Sequence, residues 1–539
     1  MPPLTTPARS SPQSSAAEPS GAGFRFAWLA GRAGLLLAIA GPALVAAALT
    51  AYHLSSRSLW LDEAASIAIA SQHGSALWRA IRHDGGNMLI YYLLLHVLIG
   101  WFGAGEAVVR LPSVVADAAT AALTAALAWR LAGRLRVALG AGLLAALSLP
   151  LVFWGQDARG YALMVTLATG SMLAFTGIVQ SRGAAPRRAV LAYVVLTLLS
   201  LYVSFYAGLI VLAQLALLPG FRHRARLIVG CLVLVAAACV PLVVLAVERG
   251  SGQLFWVARP TASTVAQAGA VLLSAGLPPN FRVGAITIAA AAVTVAVALV
   301  LVWRALSSRP PRAAGAGGLA RSAAWIAAGW LIVPTVVMLV AGLAGEPIEL
   351  QRSIILVIPA VGLLFAWGLD LPAGRRRGLG LAGLALLLVM RVLVLAPTYG
   401  VTPENWQAAA AQVARASHPG DCLLFYPQDG RMPFDYYLRG TSATARLTPV
   451  LPTAPWRLVR PYVEDYAVPS PARLDQIVHA CPRLWVVASH QGQRTGPAAS
   501  VEHLIRYHRL LADLRHAYRS AGQRQFGYAA RIYVTLLRR

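Results

Sequence analysis

"AGLLLAIAGPALVAAALTAYHLSSRSLWLDEA" (residues 33–64) decides the fold. Its first part is an uncharged, apolar run of about 20 residues, the length that crosses a bilayer as one helix. Its last part sets two adjacent carboxylates, Asp62 and Glu63, just beyond that run. Charge beside hydrocarbon is costly and is kept where it has a use. The bland alternative is an ordinary helix start, because acids in a first turn suit the helix dipole.

The rest of the chain repeats the first half of this pattern. Of 539 residues, 58% are apolar and only 12% charged, whereas a soluble chain carries about 25% charged residues. The expected class is an α-helical polytopic membrane protein. The net charge of +26 does not indicate a nucleic-acid partner, because the basic residues fall in short clusters between apolar runs and form no single face. All 46 are Arg and none is Lys. That bias fits a GC-rich coding sequence, so the choice of Arg is not in itself a sign of guanidinium chemistry.

The Arg clusters orient the molecule by the excess of positive charge expected in cytoplasmic loops. Residues 1–22, rich in Pro, Ser, Thr and Ala, read as a disordered cytoplasmic tail. Arg25 and Arg32 precede the first span, 33–52, which is read as retained rather than cleaved. An outer segment, 53–110, follows. Spans at 111–131, 137–154 and 161–180 alternate around Arg134 and Arg136 inside, "WGQDARGY" (154–161) outside and "SRGAAPRR" (181–188) inside. The run 189–219 has Arg on both sides, so it divides into two short helices with an outer turn near "YVSFYAG" (202–208). Further spans at 227–247, 286–305, 323–343, 353–370 and 378–396, with Arg309, Arg312 and "RRR" (375–377) inside, bring the total to about 11. The C-terminus and the site loops then lie outside, and the protein is expected in the cell's inner (plasma) membrane.

Two segments of the first outer loop read as interfacial helices. In "SALWRAIRH" (75–83) Leu77, Trp78 and Ile81 share one side, with Arg79 and Arg82 on the other, the pattern of a helix lying in the membrane surface. "NMLIYYLLLHVLIGWFG" (87–103) is apolar but short, and Gly85 and Gly86 supply a break before it. From residue 397 the composition changes. "PENWQAAAAQVARA" (403–416), "LDQIVHAC" (474–481) and "SVEHLIRYHRLLADLRHAY" (500–518) read as helices, and "DCLLFY" (421–426), "RLWVVAS" (483–489) and "ARIYVTLL" (530–537) as strands. The expected domains are the tail 1–22, a transmembrane catalytic domain 23–396 and an extracytoplasmic α/β domain 397–539. Cys231 and Cys239 lie in an apolar run and read as core thiols, while Cys422 and Cys481 are able to pair if their domain is extracytoplasmic.

Three outer loops gather the chemistry. The first holds Asp62, Glu63, His73, His83, Asp84, Asn87, Tyr91, His96, Glu106 and Arg110. The second holds Gln156, Asp157, Arg159 and Tyr161, and the third Glu346, Glu349, Gln351 and Arg352. Arginine holds a phosphate by charge-assisted hydrogen bonds, and a carboxylate takes a proton from an attacking hydroxyl. Asp157 with Arg159 also reads as an ion pair at a helix end, and Arg352 as a side chain reaching for lipid headgroups. No cofactor is called for. A divalent cation shared by Glu63, His83 and Asp84 is an alternative that scattered ligands support poorly. His96, among apolar neighbours, reads as a packed histidine.

"WLDEA" (60–64), "YYLLLH" (91–96), "WFG" (101–103), Glu106 with "RLPS" (110–113), "QDARGYAL" (156–163) and later "QRSIILVIPAVGLL" (351–364) occur in an order that resembles the GT-C glycosyltransferases. The pattern is similar to family 39, the protein mannosyltransferases and aminoarabinose lipid transferases. This resemblance implies a membrane enzyme, mannosyltransferase-like or another hexosyl- or pentosyltransferase, that takes a sugar from a polyprenyl-phosphate donor on the outer face. It places the catalytic acid at Asp62 and a second site acid at Asp157. Where the family often has "HPPLYY", this chain has "HDGGNMLIYY" (83–92), so Asp84 and Asn87 stand in that loop. The expected reaction is inverting transfer to an acceptor hydroxyl of a glycan, lipid or protein. Asp62 is the base, Glu63 its support, and Arg159, Tyr161, His83, Asp84, Asn87, Tyr91, Arg110 and Arg352 are substrate contacts. The alternative is a transporter or flippase of lipid-linked sugars without chemistry. Such a carrier places its ionisable residues near the midplane, whereas here they lie on one face.

Overall fold

A first long helix, α1 (Gly21–Ala51), leads into three short ones, α2 (Leu61–Ala70), α3 (Gly74–His83) and α4 (Leu89–Phe102). In this computed structural model residues 21–250, 254, 257–276, 284–307, 316–346, 348, 350–370, 375–453, 466–494, 497–528 and 530–539 are described. Most of the expected tail (residues 1–20), Arg309, Arg312 and Glu349 lie outside them.

The short helices are the two expected surface elements plus the one that bears the acidic pair. α4 has 14 residues and is about 21 Å long, too short for a hydrocarbon core of about 30 Å. On α3, Leu77 and Ile81 are buried but Trp78 is exposed. This corrects the expected grouping, because Trp78 lies about 100° around the helix from Leu77. Gly85 and Gly86 take positive φ of 71° and 72° between α3 and α4. A Cβ on Gly85 would stand 2.8 Å from Arg249 Cβ, so both conformation and space call for glycine there. His96 donates from Nδ1 to the Ala70 carbonyl at 2.7 Å, as a packed histidine does.

α5 (Glu106–Ala132) is the central strut, with α1, α6 (Leu135–Ala146) and α8 (Tyr161–Val179) packed around it. α6 and α7 (Leu149–Gly155) meet at a bend of 58°. α9 (Arg187–Val203) packs on α8 and stops at Ser204, whose backbone is extended (φ −161°, ψ 134°). The break falls inside "YVSFYAG". α10 (Gly208–Leu217) and α11 (Arg222–Ala238) belong to one helical stretch, Phe205–Ala238. Then come α12 (Val240–Arg249), α13 (Ala262–Leu272), α14 (Ala285–Ser307), α15 (Ala316–Ala344), the turn α16 (Leu350–Ser353), α17 (Ile358–Leu369) and α18 (Arg375–Leu395).

Among the described residues seven helices are long and apolar enough to cross a membrane, or eight if the bent pair is one span. The chain is a multi-pass membrane protein, but its helices do not reach the expected count of eleven by length and composition. α9 has only 17 residues, and the expected span 227–247 is interrupted at Cys239, just before Pro241 at the start of α12. The Arg-rich turns do collect. Arg134 and Arg136 both pair with Asp370, and Arg224 donates to Ser181 Oγ at 2.9 Å. Arg134 follows the far end of α5 from Glu106, so α5, about 40 Å long, separates these turns from the loop that bears Asp62.

Beyond α18 the chain forms a five-stranded sheet of order β2-β1-β3-β5-β4. Its elements are α19 (Trp406–Ala416), β1 (Asp421–Tyr426), α20 (Arg431–Leu438), β2 (Leu447–Leu451), α21 (Pro471–Ala480), β3 (Arg483–Ala488), α22 (Ala498–Ala517), β4 (Arg519–Phe526) and β5 (Ile532–Arg538). β1 is parallel to both β2 and β3, while β5 is antiparallel to β3 and β4. Every residue of β1 is buried, as expected of a parallel strand covered on both faces. Cys422 and Cys481 form a disulfide with a Cα–Cα distance of 5.8 Å, and Cys231 and Cys239 are buried free thiols.

This domain clamps the segment between α1 and α5. Tyr436 donates to the Ala104 carbonyl at 2.8 Å, and Tyr437 donates to Glu106 while its oxygen accepts from Leu59 N–H at 2.7 Å. Met432 of α20 packs on Leu61, Ala64 and Ala65 of α2. Replacing Tyr437 by Phe leaves the Leu59 N–H and Glu106 without their shared partner. A buried group left unsatisfied costs about 1–3 kcal/mol, so Tyr437→Phe should lower the thermal unfolding midpoint in detergent. An unchanged midpoint would mean that the clamp does not hold the loop.

Candidate active site

Glu63 is the anchor on which the site is built. It is fully buried, and Arg110 grips it with two parallel bonds, Nε to Oε1 and Nη2 to Oε2, both 2.7 Å. Arg110 also donates to the carbonyls of Leu54 (2.7 Å) and Arg57 (3.0 Å). The Ala158 N–H donates to Glu63 Oε1 at 2.8 Å, and the Trp60 N–H to Oε2 at 3.2 Å. One carboxylate thus ties together the start of α2, the start of α5, the 54–58 turn and the 157–159 loop. Burial alone would raise its pKa, but the Arg110 guanidinium holds it below the usual carboxylate value. Both charged groups face each other within the protein, so neither Glu63 nor Arg110 presents its charge to a substrate.

This anchoring leaves the neighbour Asp62 at the surface of a cleft. Its side chain is 30% exposed, and Arg352 Nη1 donates to its Oδ2 at 2.8 Å. Arg352 comes from the short turn before α17 and lies over the rings of Trp154 (5.5 Å) and Trp60 (5.9 Å), which stack on each other. It also donates to Tyr161 OH at 3.3 Å. The Arg159 guanidinium stands over the Tyr161 ring at 5.9 Å. Burial pushes the Asp62 carboxyl up, but the Arg159 and Arg352 charges outweigh that effect and hold it down at about 2. Asp62 is therefore ionised across the physiological range.

Asp157 sits in the same pocket with the opposite character. It is 2% exposed, and its Oδ1 has no hydrogen-bond partner among the described residues. Burial, reinforced by the adjacent Glu63 charge, pushes its pKa well above the carboxylate range. Arg159 Nε and Trp154 Nε1 are likewise buried without a partner. Such orphaned groups call for a ligand or water.

The other expected contacts divide. Asp84 accepts from Tyr92 OH at 2.8 Å, and its charge reaches Arg159. His83 and Asn87 are half-buried at the break between α3 and α4. Tyr91 is buried, with its hydroxyl 3.2 Å from Ser113 Oγ, so it supports the pocket from behind. Among the described residues no three His, Cys, Asp or Glu side chains group as metal ligands, and Glu63 is already engaged by Arg110. The expected set of Glu63, His83 and Asp84 does not fit a divalent cation.

Three residues absent from the sequence reading complete the surroundings. Glu404 accepts from Leu61 N–H at 2.9 Å and from Trp406 Nε1 at 2.8 Å, and lies 3.3 Å from His490 Nε2. Asp429 is buried beside them, close enough for its charge to reach both His490 and Asp62. Burial works against a charged His490, but Glu404 raises its pKa to about 9. These residues stand singly along a polar stretch with no motif around them, so no local signal marks them.

No protein-family model and no curated protein matches this chain. Among the solved structures that share its fold are two of ArnT from Cupriavidus metallidurans. The one bound to undecaprenyl phosphate has a TM-score of 0.56 at 15% identity, covering 91% of this chain and 96% of that chain. The apo structure has a TM-score of 0.56 at 15% identity, covering 96% and 98%. The likeness runs through both the helical part and the sheet domain.

Removing one partner of a buried ion pair is expected to cost about 3–5 kcal/mol. Arg110→Met should therefore lower the thermal midpoint strongly, and the double variant Glu63→Gln with Arg110→Met should regain part of the loss. If the double variant is as unstable as the sum of the singles, the pair is not the anchor.

Proposed function

We propose that this chain is an inverting glycosyltransferase that moves a sugar from a polyprenyl-phosphate donor to an acceptor hydroxyl on the extracytoplasmic face. The observation that carries the reading is the partly exposed Asp62 with two guanidiniums beside it, Arg352 lying over a pair of stacked tryptophans and Arg159 over Tyr161. A fold shared with a protein bound to undecaprenyl phosphate supports a lipid phosphate as the ligand of those guanidiniums. The placement of charge supports chemistry over passive carriage, since the site acids stand in the first turn of the short helix α2 and in the turn between α7 and α8 rather than at the midplane of broken helices.

In this mechanism the donor phosphate draws Arg352 and Arg159 toward itself. Asp62 loses the salt bridge that depresses its basicity and becomes a better proton acceptor. The acceptor oxygen then attacks the anomeric carbon as its proton passes to Asp62. The bond from that carbon to the phosphate oxygen breaks, and its electron pair leaves with polyprenyl phosphate, stabilised by the two arginines. Asp157, whose hold on a proton is strengthened by burial, is placed to donate a hydrogen bond toward the sugar or the phosphate rather than to act as a second base. Glu63 and Arg110 act only by positioning Asp62 and the 157–159 loop.

Purified protein in nanodiscs, given a panel of polyprenyl-phosphate sugars, should release polyprenyl phosphate. Asp62→Asn should lower transfer by about 10²- to 10⁴-fold, the range for loss of a positioned base, with donor binding kept. Near-normal transfer by Asp62→Asn alongside a dead Asp157→Asn would move the base to the second loop. Arg352→Ala should weaken polyprenyl-phosphate binding without a matching loss of stability.

Sidedness rests on the Arg-rich turns and on the disulfide, a bond that persists in oxidising compartments. Protein blocked with a thiol reagent at cell lysis and then denatured should show Cys422 and Cys481 modifiable only after reduction. Free thiols at both positions before reduction would place the sheet domain in the cytoplasm.

A further inference from the structure

In an open α/β sheet, ligands bind outside the carboxyl ends of the strands where the chain leaves neighbouring strands in opposite directions. β1 and β3 are such neighbours here. They run parallel, with β2 beyond β1 on one side and β5 beyond β3 on the other. The loop after β1 carries Asp429, and the residues directly after β3 are Ser489 and His490.

Where these two strands end, buried polar atoms stand without partners among the described residues. Asp429 is 2% and Ser489 1% exposed. Asp429 Oδ1 and Ser489 Oγ both have no hydrogen-bond partner among the described residues. Gly430 packs closely here, since a Cβ would stand 3.0 Å from the Trp406 ring and 3.7 Å from Ser489 Oγ, which puts the backbone of the Asp429 turn beside Ser489. His490 adopts a left-handed backbone (φ 47°), a conformation that costs a non-glycine residue energy and clusters at functional sites. Its imidazole is 34% exposed.

The crevice faces Asp62. Glu404, paired with His490, holds the Leu61 N–H one residue before Asp62, and Asp62, Asp429 and His490 lie within reach of one another's charge. The two sides of Asp62 therefore differ in chemistry. Toward the membrane helices stand Arg159 and Arg352, suited to a phosphate. Toward the sheet domain stand a carboxyl group, a hydroxyl and an ion-paired imidazole. The positive charge of His490 is balanced by Glu404, and burial pushes the Asp429 carboxyl up to about 7. A near-neutral set of donors and acceptors suits neutral hydroxyls better than a phosphate or an amine.

We infer that the crevice formed by Asp429, Ser489 and His490 is the acceptor subsite, and that it binds a hydroxyl-rich group, a sugar or polyol, with one hydroxyl directed at Asp62. This inference rests on the reading of Asp62 as the base, and it deepens that reading by assigning the acceptor class. Asp429 Oδ1 accepts from, and Ser489 Oγ donates to or accepts from, hydroxyls that do not react. The reacting hydroxyl loses its proton to Asp62 as it attacks the donor sugar.

The test is ligand-observed NMR on the full-length protein in nanodiscs, with methyl hexosides and methyl pentosides as probes and ethylamine and inorganic phosphate as comparisons. The wild type should bind at least one glycoside, and Asp429→Asn and Ser489→Ala should each weaken it about tenfold, the worth of one good hydrogen bond. Both variants should bind polyprenyl phosphate as the wild type does. No glycoside binding, equal binding by the variants, or better binding of ethylamine or phosphate at this crevice would overturn the inference. A wild type that binds glycosides through Asp429 and Ser489 but consumes no lipid-linked sugar would sink the glycosyltransferase reading and leave the subsite standing.

Discussion

The buried contact between Glu63 and Arg110 is the constraint from which the rest of the site follows. Two charges removed from water must be matched in geometry as well as in sign. The fork of Arg110 meets both oxygens of Glu63, and the remaining capacity of each group is met by backbone from three further segments. Because α2 begins at Leu61, fixing Glu63 in the interior forces the preceding residue about 100° around the helix, out to the cleft. The adjacency of the two acids thus has a structural consequence. One is sacrificed to position, and the other is thereby aimed.

Much of this was legible in the residues, and what was not has identifiable causes. The apolar runs announced a polytopic chain, the short length of "NMLIYYLLLHVLIGWFG" distinguished α4 from a span, and the Arg on both sides of 189–219 marked the break that occurs at Ser204. The count of eleven spans was beyond reach because apolar composition does not report where a helix stops, as Cys239 and Pro241 illustrate. In the sheet domain β1, β3 and β5 were plain from their Val, Leu, Ile and aromatic content. β2 ("LTPVL") and β4 ("RSAGQRQF") were not. Both are edge strands; Pro449 is tolerated there because an edge needs fewer ladder bonds, and β4 is exposed along nearly its whole length.

Within the site, sequence order identified Asp62, Asp157, Arg159 and Arg352 as companions, and the structure brings their charges together. It could not separate substrate-facing groups from supporting ones, since that depends on which oxygen meets which guanidinium. Arg110 and Tyr91 were grouped with the substrate contacts on proximity alone, yet one is wholly engaged with Glu63 and the loop carbonyls and the other lies behind the pocket wall. Glu404, Asp429 and His490 escaped notice for a different reason. Asp429 and His490 take their meaning from tertiary placement at the carboxyl ends of β1 and β3, and Glu404 from its position before α19 beside them, and periodicity along the chain carries no trace of either.

The clamp between the sheet domain and the first loop also bears on how the protein is made. Leu59 meets Tyr437 across 378 positions, Leu61 meets Glu404 across 343, and Asp62 meets Arg352 across 290. A ribosome has inserted nearly all of the helices before any of these contacts can form. Until the last strands have been synthesised and folded, the acidic loop stands open to solvent and unclosed on its outer side. Closure of the candidate site is therefore among the final events of biogenesis, and a chain cut short before residue 404 would keep its membrane helices while lacking the groups that hold α2 in place.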